Sequence, residues 1–206
     1  ALFIVATPAL NRIVEWNEAM HLPEALYNIE QWMRQQENAA TKITEQILQV
    51  NSFSHFLAVI FGIGILTGIG EEMIFRGVLQ RIVQDKNHRA HVAVWICAFL
   101  FSAIHLQFYG FIPRLLLGAF FGYLLVWSKN LWLPIFAHLF NNSTVACISY
   151  FTNDKSPDNL IETVGTSGSP TSWLAGASLI GTVILLYVLY KKVFFSKSKE
   201  FFPMED

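Results

Sequence analysis

The sequence predicts an all-α fold, a polytopic membrane bundle with about five transmembrane helices. Three observations carry that expectation. Only 14% of the 206 residues are charged, while 53% are hydrophobic and 15% aromatic; an average soluble domain is about 25% charged. Five long stretches contain no Asp, Glu, Lys or Arg: Gln46–Gly70, Ala90–Pro113, Leu115–Ser128, Asn130–Asn153 and Thr163–Tyr190. Eight of the Lys and Arg in and after the connections between these stretches fall on one side of an alternating path, against Arg114, Lys155 and the three of the N-terminal segment on the other. Such a chain has too much apolar surface to stay disordered. Its formal net charge of −1 offers no basic surface for nucleic acid.

Residues 1–10 (ALFIVATPAL) are apolar but too short to span a bilayer, and no basic stretch precedes them. They read as the end of a transmembrane helix, so the chain is expected to be truncated at its N-terminus. Residues 11–50 are polar, with Arg12, Arg34 and Lys42 against Glu15, Glu18, Glu24, Glu30, Glu37 and Glu45. Scattered Trp16, Leu22, Leu26, Ile29, Trp32 and Met33 suggest amphipathic helices at the membrane surface. A loop with short helices is the other reading.

Residues 51–195 hold the five apolar runs. A spanning helix needs roughly 20 apolar residues. Four runs reach that length, and Phe111 and Ile112 extend the third to roughly 18. Arg81, Lys86 and Arg89 follow the first run, Lys129 the third, and Lys191, Lys192, Lys197 and Lys199 the fifth. The positive-inside rule puts those connections in the cytosol, with the tail 196–206. Segment 11–50 and the Gly/Ser/Thr-rich loop Thr152–Ser169 then lie outside. Cys97 and Cys147 sit within apolar runs and read as small hydrophobes, not a disulfide.

Ionisable groups inside membrane helices are costly and usually face a cavity. The first run ends in Gly70-Glu71-Glu72-Met73-Ile74-Phe75-Arg76-Gly77. Glu72 and Arg76 are four apart and can pair on one helix face. Glu71 points about 100° away and has no local partner. A carboxylate so placed suits general-base chemistry. The second run carries Phe101 and His105, and the fourth His138 and Asn142, again four apart. One free carboxylate, two imidazoles and a carboxamide on three helices can activate water and stabilise an oxyanion.

Each piece also has a plainer reading. A membrane histidine or asparagine can simply bond a neighbouring helix, and a Glu–Arg pair can be structural. His55 and His91 lie near helix ends, and His21 and His88 in polar stretches. The pattern on three successive helices favours chemistry. One geometric demand follows. Glu71 and His138 fall nearer the cytoplasmic face, whereas His105, about 15 residues into its run, lies roughly 22 Å deep in a straight helix.

Glu-Glu-x-x-x-Arg, Phe-x-x-x-His and His-x-x-x-Asn, in that order on membrane helices, resemble the CAAX-processing and bacteriocin-processing (CPBP, or Abi) intramembrane proteases. The resemblance covers roughly Ser52–Phe151. It implies that Glu71 and His105 activate water, that His138 and Asn142 stabilise the oxyanion, and that Glu72, Arg76 and Phe101 support them. It implies a membrane-associated protein or peptide substrate, of CAAX type or from bacteriocin or surface-protein processing. It leaves open whether the chemistry uses glutamate alone or a metal. The zinc-protease motif His-Glu-x-x-His is absent, yet Glu71, His105 and His138 are residue types that can ligate Zn²⁺ with one position open for water. A non-enzymatic transporter or peptide-binding protein using the same polar cluster is the alternative. The lipid bilayer is the expected surrounding, and a bacterial plasma membrane the expected location.

Overall fold

The structure is a computed structural model. It describes residues 2–87, 89–152 and 163–191, all helix, turn or coil. His88, Lys155, Lys192 and the predicted tail 196–206 lie outside the described residues. Two compact units form, Ala1–Glu15 with Asp158–Asp206, and Trp16–Pro157.

In the first unit, α1 (Leu2–Glu18) contains Pro8. A proline inside a helix lacks an N–H and crowds the preceding turn. Next to it, the Ser178 hydroxyl accepts from the Ala9 N–H at 3.1 Å and donates to the Val5 carbonyl. It thus stands between the two groups of one helical turn. Ser178 belongs to α7 (Trp173–Val188). Asn11 closes the same unit by donating to the Val164 carbonyl at 3.0 Å. The helix therefore does not stop near residue 10, where the apolar stretch ends.

The second unit holds the remaining helices. A short 3₁₀ turn, Glu24–Leu26, leads into α2 (Tyr27–Leu48), so most of the polar segment is one long helix. Helix α3 begins at Phe53 with Ser52 as N-cap, its hydroxyl accepting the His55 N–H at 3.2 Å. It runs on as Phe53–Val59, Ile60–Thr67, Gly68–Glu72, Met73–Leu79 and Gln80–Asn87. The second and fourth of these pieces are π-helical.

Helix α4 (Ala90–Ala103) is followed by a turn in which Leu106 is left-handed, at φ 53°. Helix α5 (Phe111–Ser128) ends at Lys129, also left-handed, at φ 55°. The Asn130 side chain then accepts the Trp132 N–H at 2.9 Å and starts α6 (Trp132–Thr152). Pro134 falls in the first turn of α6, where its missing N–H costs nothing.

The five apolar runs do not become five equal spans. Three described helices are long and apolar enough to cross a membrane: Phe53–Gln84, Phe111–Ser128 and Trp173–Lys191. Helix α4 is apolar but has 14 residues, about 21 Å at 1.5 Å per residue, against a hydrocarbon core near 30 Å. Its run is interrupted at residues 104–110. Helix α6 has 21 residues, with His138, Asn141, Asn142, Ser143 and Thr144 diluting its apolar character. The first run is the largest departure. Its helix starts later than Gln46, then continues through Glu71, Glu72 and Arg76, the last two being paired inside the protein.

Small residues bring these helices together. A Cβ on Gly118 would sit 3.2 Å from the Ala98 Cα, which lets α5 lie against α4. On α3, a Cβ on Gly68 would be 3.2 Å from the Leu139 backbone nitrogen of α6. Val94, Ala98 and Ala119 form the core between α4 and α5. Val50, Val59 and Ala146 form a second core beside α6. Large apolar side chains such as Phe61, Ile74 and Phe99 remain on the outside, as a lipid-facing surface requires.

Candidate active site

Glu71 and Glu72 sit near the middle of α3, between its two π-helical pieces. π turns inside α-helices frequently fall at functional sites. Here they leave carbonyls that side chains take up: Thr67 Oγ1 donates to the Gly62 carbonyl at 3.1 Å, and Asn142 Nδ2 to the Ile63 carbonyl at 3.2 Å.

The Glu72 side of α3 is fully enclosed. Glu72, Arg76 and Gln80, spaced by four, each have no exposed surface. Arg76 Nη1 donates to Glu72 Oε1 at 2.9 Å and Nη2 to the Gly118 carbonyl at 2.7 Å. Gln80 Nε2 donates to the Gly122 carbonyl at 3.2 Å. The guanidinium also lies 4.8 Å from the Phe101 ring and 5.5 Å from Phe121, within cation–π range. The pair predicted from spacing is therefore present, and it is anchored to α5.

Glu71 faces two imidazoles instead. Its Oε1 is 3.8 Å from His105 Nε2, and its Oε2 is 3.7 Å from His138 Nε2. Both histidines are held from behind. His105 Nδ1 donates to the Phe101 carbonyl at 2.7 Å, and His138 Nδ1 to Glu72 Oε1 at 2.8 Å. An acceptor behind each Nδ1 assigns the proton there and turns Nε2 toward Glu71. Phe121 stacks on His138 with centroids 4.8 Å apart. Both separations exceed a direct hydrogen bond, and a polar gap of this kind is where a bridging water is to be sought. Glu71 and His105 keep about a quarter of their side-chain surface exposed, whereas His138 keeps 4%. The open side of the site is therefore at Glu71 and His105.

The depth mismatch expected for His105 disappears. Glu71 is in the middle of a long helix, not at the end of a short one, and His105 lies in the turn just past α4. Asn142 is one turn from His138 but is engaged with the Ile63 carbonyl. Among the site partners, Gln80 could have been found from sequence, since it continues the Glu72–Arg76 spacing. Phe121 and Gly118 leave no local signal, because only the packing of α5 brings them in.

Zinc binds nitrogen and oxygen ligands at about 2.0–2.2 Å, which sets tetrahedral ligand atoms roughly 3.3 Å apart. The Glu71–His105 and Glu71–His138 separations are wider. Among the described residues no group of three or more His, Cys, Asp or Glu side chains is arranged to hold a metal ion. The three side chains as they stand do not fit zinc.

Residues 53–144 match the family model described as type II CAAX prenyl endopeptidase, Rce1-like. The chain is also similar to an uncharacterized protein, YpbD, of Bacillus subtilis (strain 168), at 29% identity over 109 residues. That alignment covers 51% of each chain, so this chain spans about half the length of the curated relative it matches. No solved structure matches it. Residues 53–144, which carry all three motifs and the whole polar cluster, are thus similar to the Rce1-like CAAX prenyl endopeptidases, and this similarity supports the CAAX-processing and bacteriocin-processing family of proteases.

Proposed function

We propose that this protein is an intramembrane endopeptidase with Glu71 as general base. The observation that carries the reading is the facing of both Glu71 oxygens toward the Nε2 atoms of His105 and His138, at 3.8 and 3.7 Å. A water between Glu71 and His105 attacks the scissile carbonyl carbon and gives its proton to Glu71. His105, with its proton on Nδ1, accepts from that water through Nε2. His138 serves as oxyanion donor once Nε2 also carries a proton. Asn142 adds its second amide N–H. As the C–N bond breaks, the Glu71 proton passes to the leaving nitrogen, yielding a carboxylic acid and an amine. General-base assistance contributes about 10²–10⁴-fold; an oxyanion donor contributes about 10²–10³-fold.

The substrate is a protein or peptide in or at the bilayer, of prenylated CAAX type or from bacteriocin or surface-protein processing. The C-terminus is cytosolic in this reading, which the basic connections support through the positive-inside rule. Mapping of new peptide termini in cells carrying the full-length wild-type protein or Glu71→Ala, at matched membrane levels, tests the reading. Termini seen only with wild type support it and identify the substrate. Identical termini across growth conditions overturn it, and an ion flux lost in Glu71→Gln would then favour a transporter. Retention of full cleavage after chelation would confirm that no metal takes part.

A further inference from the structure

The turn carrying His105, residues 104–110, makes few bonds of its own. Besides the helix-end bonds of the Ile104 and Arg114 N–H groups, three backbone bonds close it: His105 N–H to the Ser102 carbonyl, Leu106 N–H to Ala103, and Phe111 N–H to Phe108; the Arg114 guanidinium of α5 donates to the Gln107 carbonyl at 3.4 Å and to Gln107 Oε1 at 2.7 Å. It also contains left-handed Leu106, a conformation that side chains other than glycine adopt at a cost. Its remaining backbone groups are met from far upstream. Asn17, almost fully buried, accepts the Ile112 N–H on Oδ1 at 2.8 Å and donates from Nδ2 to the Phe108 carbonyl at 3.1 Å. Glu37 Oε2 accepts the Tyr109 N–H at 3.0 Å. Trp32 packs on Phe108 with centroids 5.4 Å apart, and the Arg34 guanidinium lies 4.3 Å over the Tyr109 ring. These residues all precede the family match at 53–144.

We propose that Asn17 and Glu37 are positioning residues that clamp the 104–112 turn and so set His105 against Glu71. The proposal rests on the reading of His105 as a site residue. Neither residue touches the reacting atoms. Each satisfies backbone groups that the turn leaves unpaired, and an unpaired buried backbone group is strongly disfavoured. The polar N-terminal segment thus completes a site whose motifs all lie downstream of it.

The test uses the full chain in lipid nanodiscs and diethyl pyrocarbonate, which carbethoxylates histidine at a neutral ring nitrogen. Mass spectrometry follows His105 and His138 separately, and amide exchange follows Tyr109 and Ile112. Asn17→Ala should speed exchange at Ile112 and Glu37→Ala at Tyr109. Each should raise the His105 modification rate about threefold or more as the turn opens locally, with His138 unchanged. Glu37→Gln keeps an oxygen acceptor for the Tyr109 N–H and should retain the wild-type rate. Faster amide exchange with an unchanged His105 rate would overturn the proposal. So would a parallel rise at His138, which marks general loosening. If Asn17→Ala fails to fold, the Glu37 pair decides alone. No peptide cleavage is needed, so this result and the terminus mapping fail independently.

Discussion

Glu72 and Arg76 have no solvent contact at all, and each is bonded to more than the other. Removing one partner of a buried pair costs about 3–5 kcal/mol, mostly because the other charge is stranded. Arg76→Met should therefore lower the thermal midpoint in detergent sharply. The Glu72→Met/Arg76→Met double variant should lose less than the two single losses combined. Outside the membrane helices, Glu30 receives Arg34 at 2.7 Å, the Leu22 N–H at 2.9 Å and His21 at 3.0 Å. Arg34 first, then Leu22 and His21, hold its pKa down to about 2. A carboxyl depressed in the folded state stabilises it above the ordinary value of 4.5 and loses that contribution as pH falls toward 2. Docking of α2, read by Trp32 fluorescence, should weaken across that window in wild type. In Glu30→Gln the same window should be flat.

At the scale of elements, the approach of α3 to α6 depends on Gly68. An added methyl would press on the Leu139 backbone, which cannot move aside as a side-chain tip can. Overpacking of this kind costs about 1–3 kcal/mol. Gly68→Ala should lower the melting midpoint. Gly70→Ala, two residues on and open to space within 4 Å, should leave it level or slightly higher, since alanine favours helix. The first π piece of α3 belongs to the same contact, because Asn142 of α6 reaches its Ile63 carbonyl. That bond gives Asn142 a helix-bridging role beside its proposed catalytic one. Asn142→Ala should reduce cleavage by about 10²-fold or more if it donates to an oxyanion. A purely bridging residue would lower stability and leave the rate of the folded fraction unchanged.

At the scale of the whole second unit, the site is assembled from α3, the turn after α4, and α6, with α5 as backing. Residues that act on one water do not contribute independently. With a substrate in hand, Glu71→Ala/His105→Ala should be about as slow as Glu71→Ala alone. Losses that multiply would separate the two residues' roles.

Much of this was legible in the sequence. Charge-free runs marked the apolar helices, since burying an unpaired charge in lipid is prohibitive. Spacing by four marked the Glu72–Arg76 and His138–Asn142 faces, since helical geometry is local. Order and identity of the three motifs marked the family. Tertiary structure alone decided the rest. It let α3 run on through Glu72 and Arg76, because the two neutralise each other and an α5 carbonyl and the His138 ring bond what the sequence shows only as charge. It ended α4 before His105, and turned both Nε2 atoms toward Glu71 through acceptors that lie behind them. It brought Asn17 and Glu37 to a turn some 70 to 95 residues away. Periodicity follows from the backbone and can be counted along the chain. A hydrogen bond between distant residues follows from packing, which no window of sequence contains.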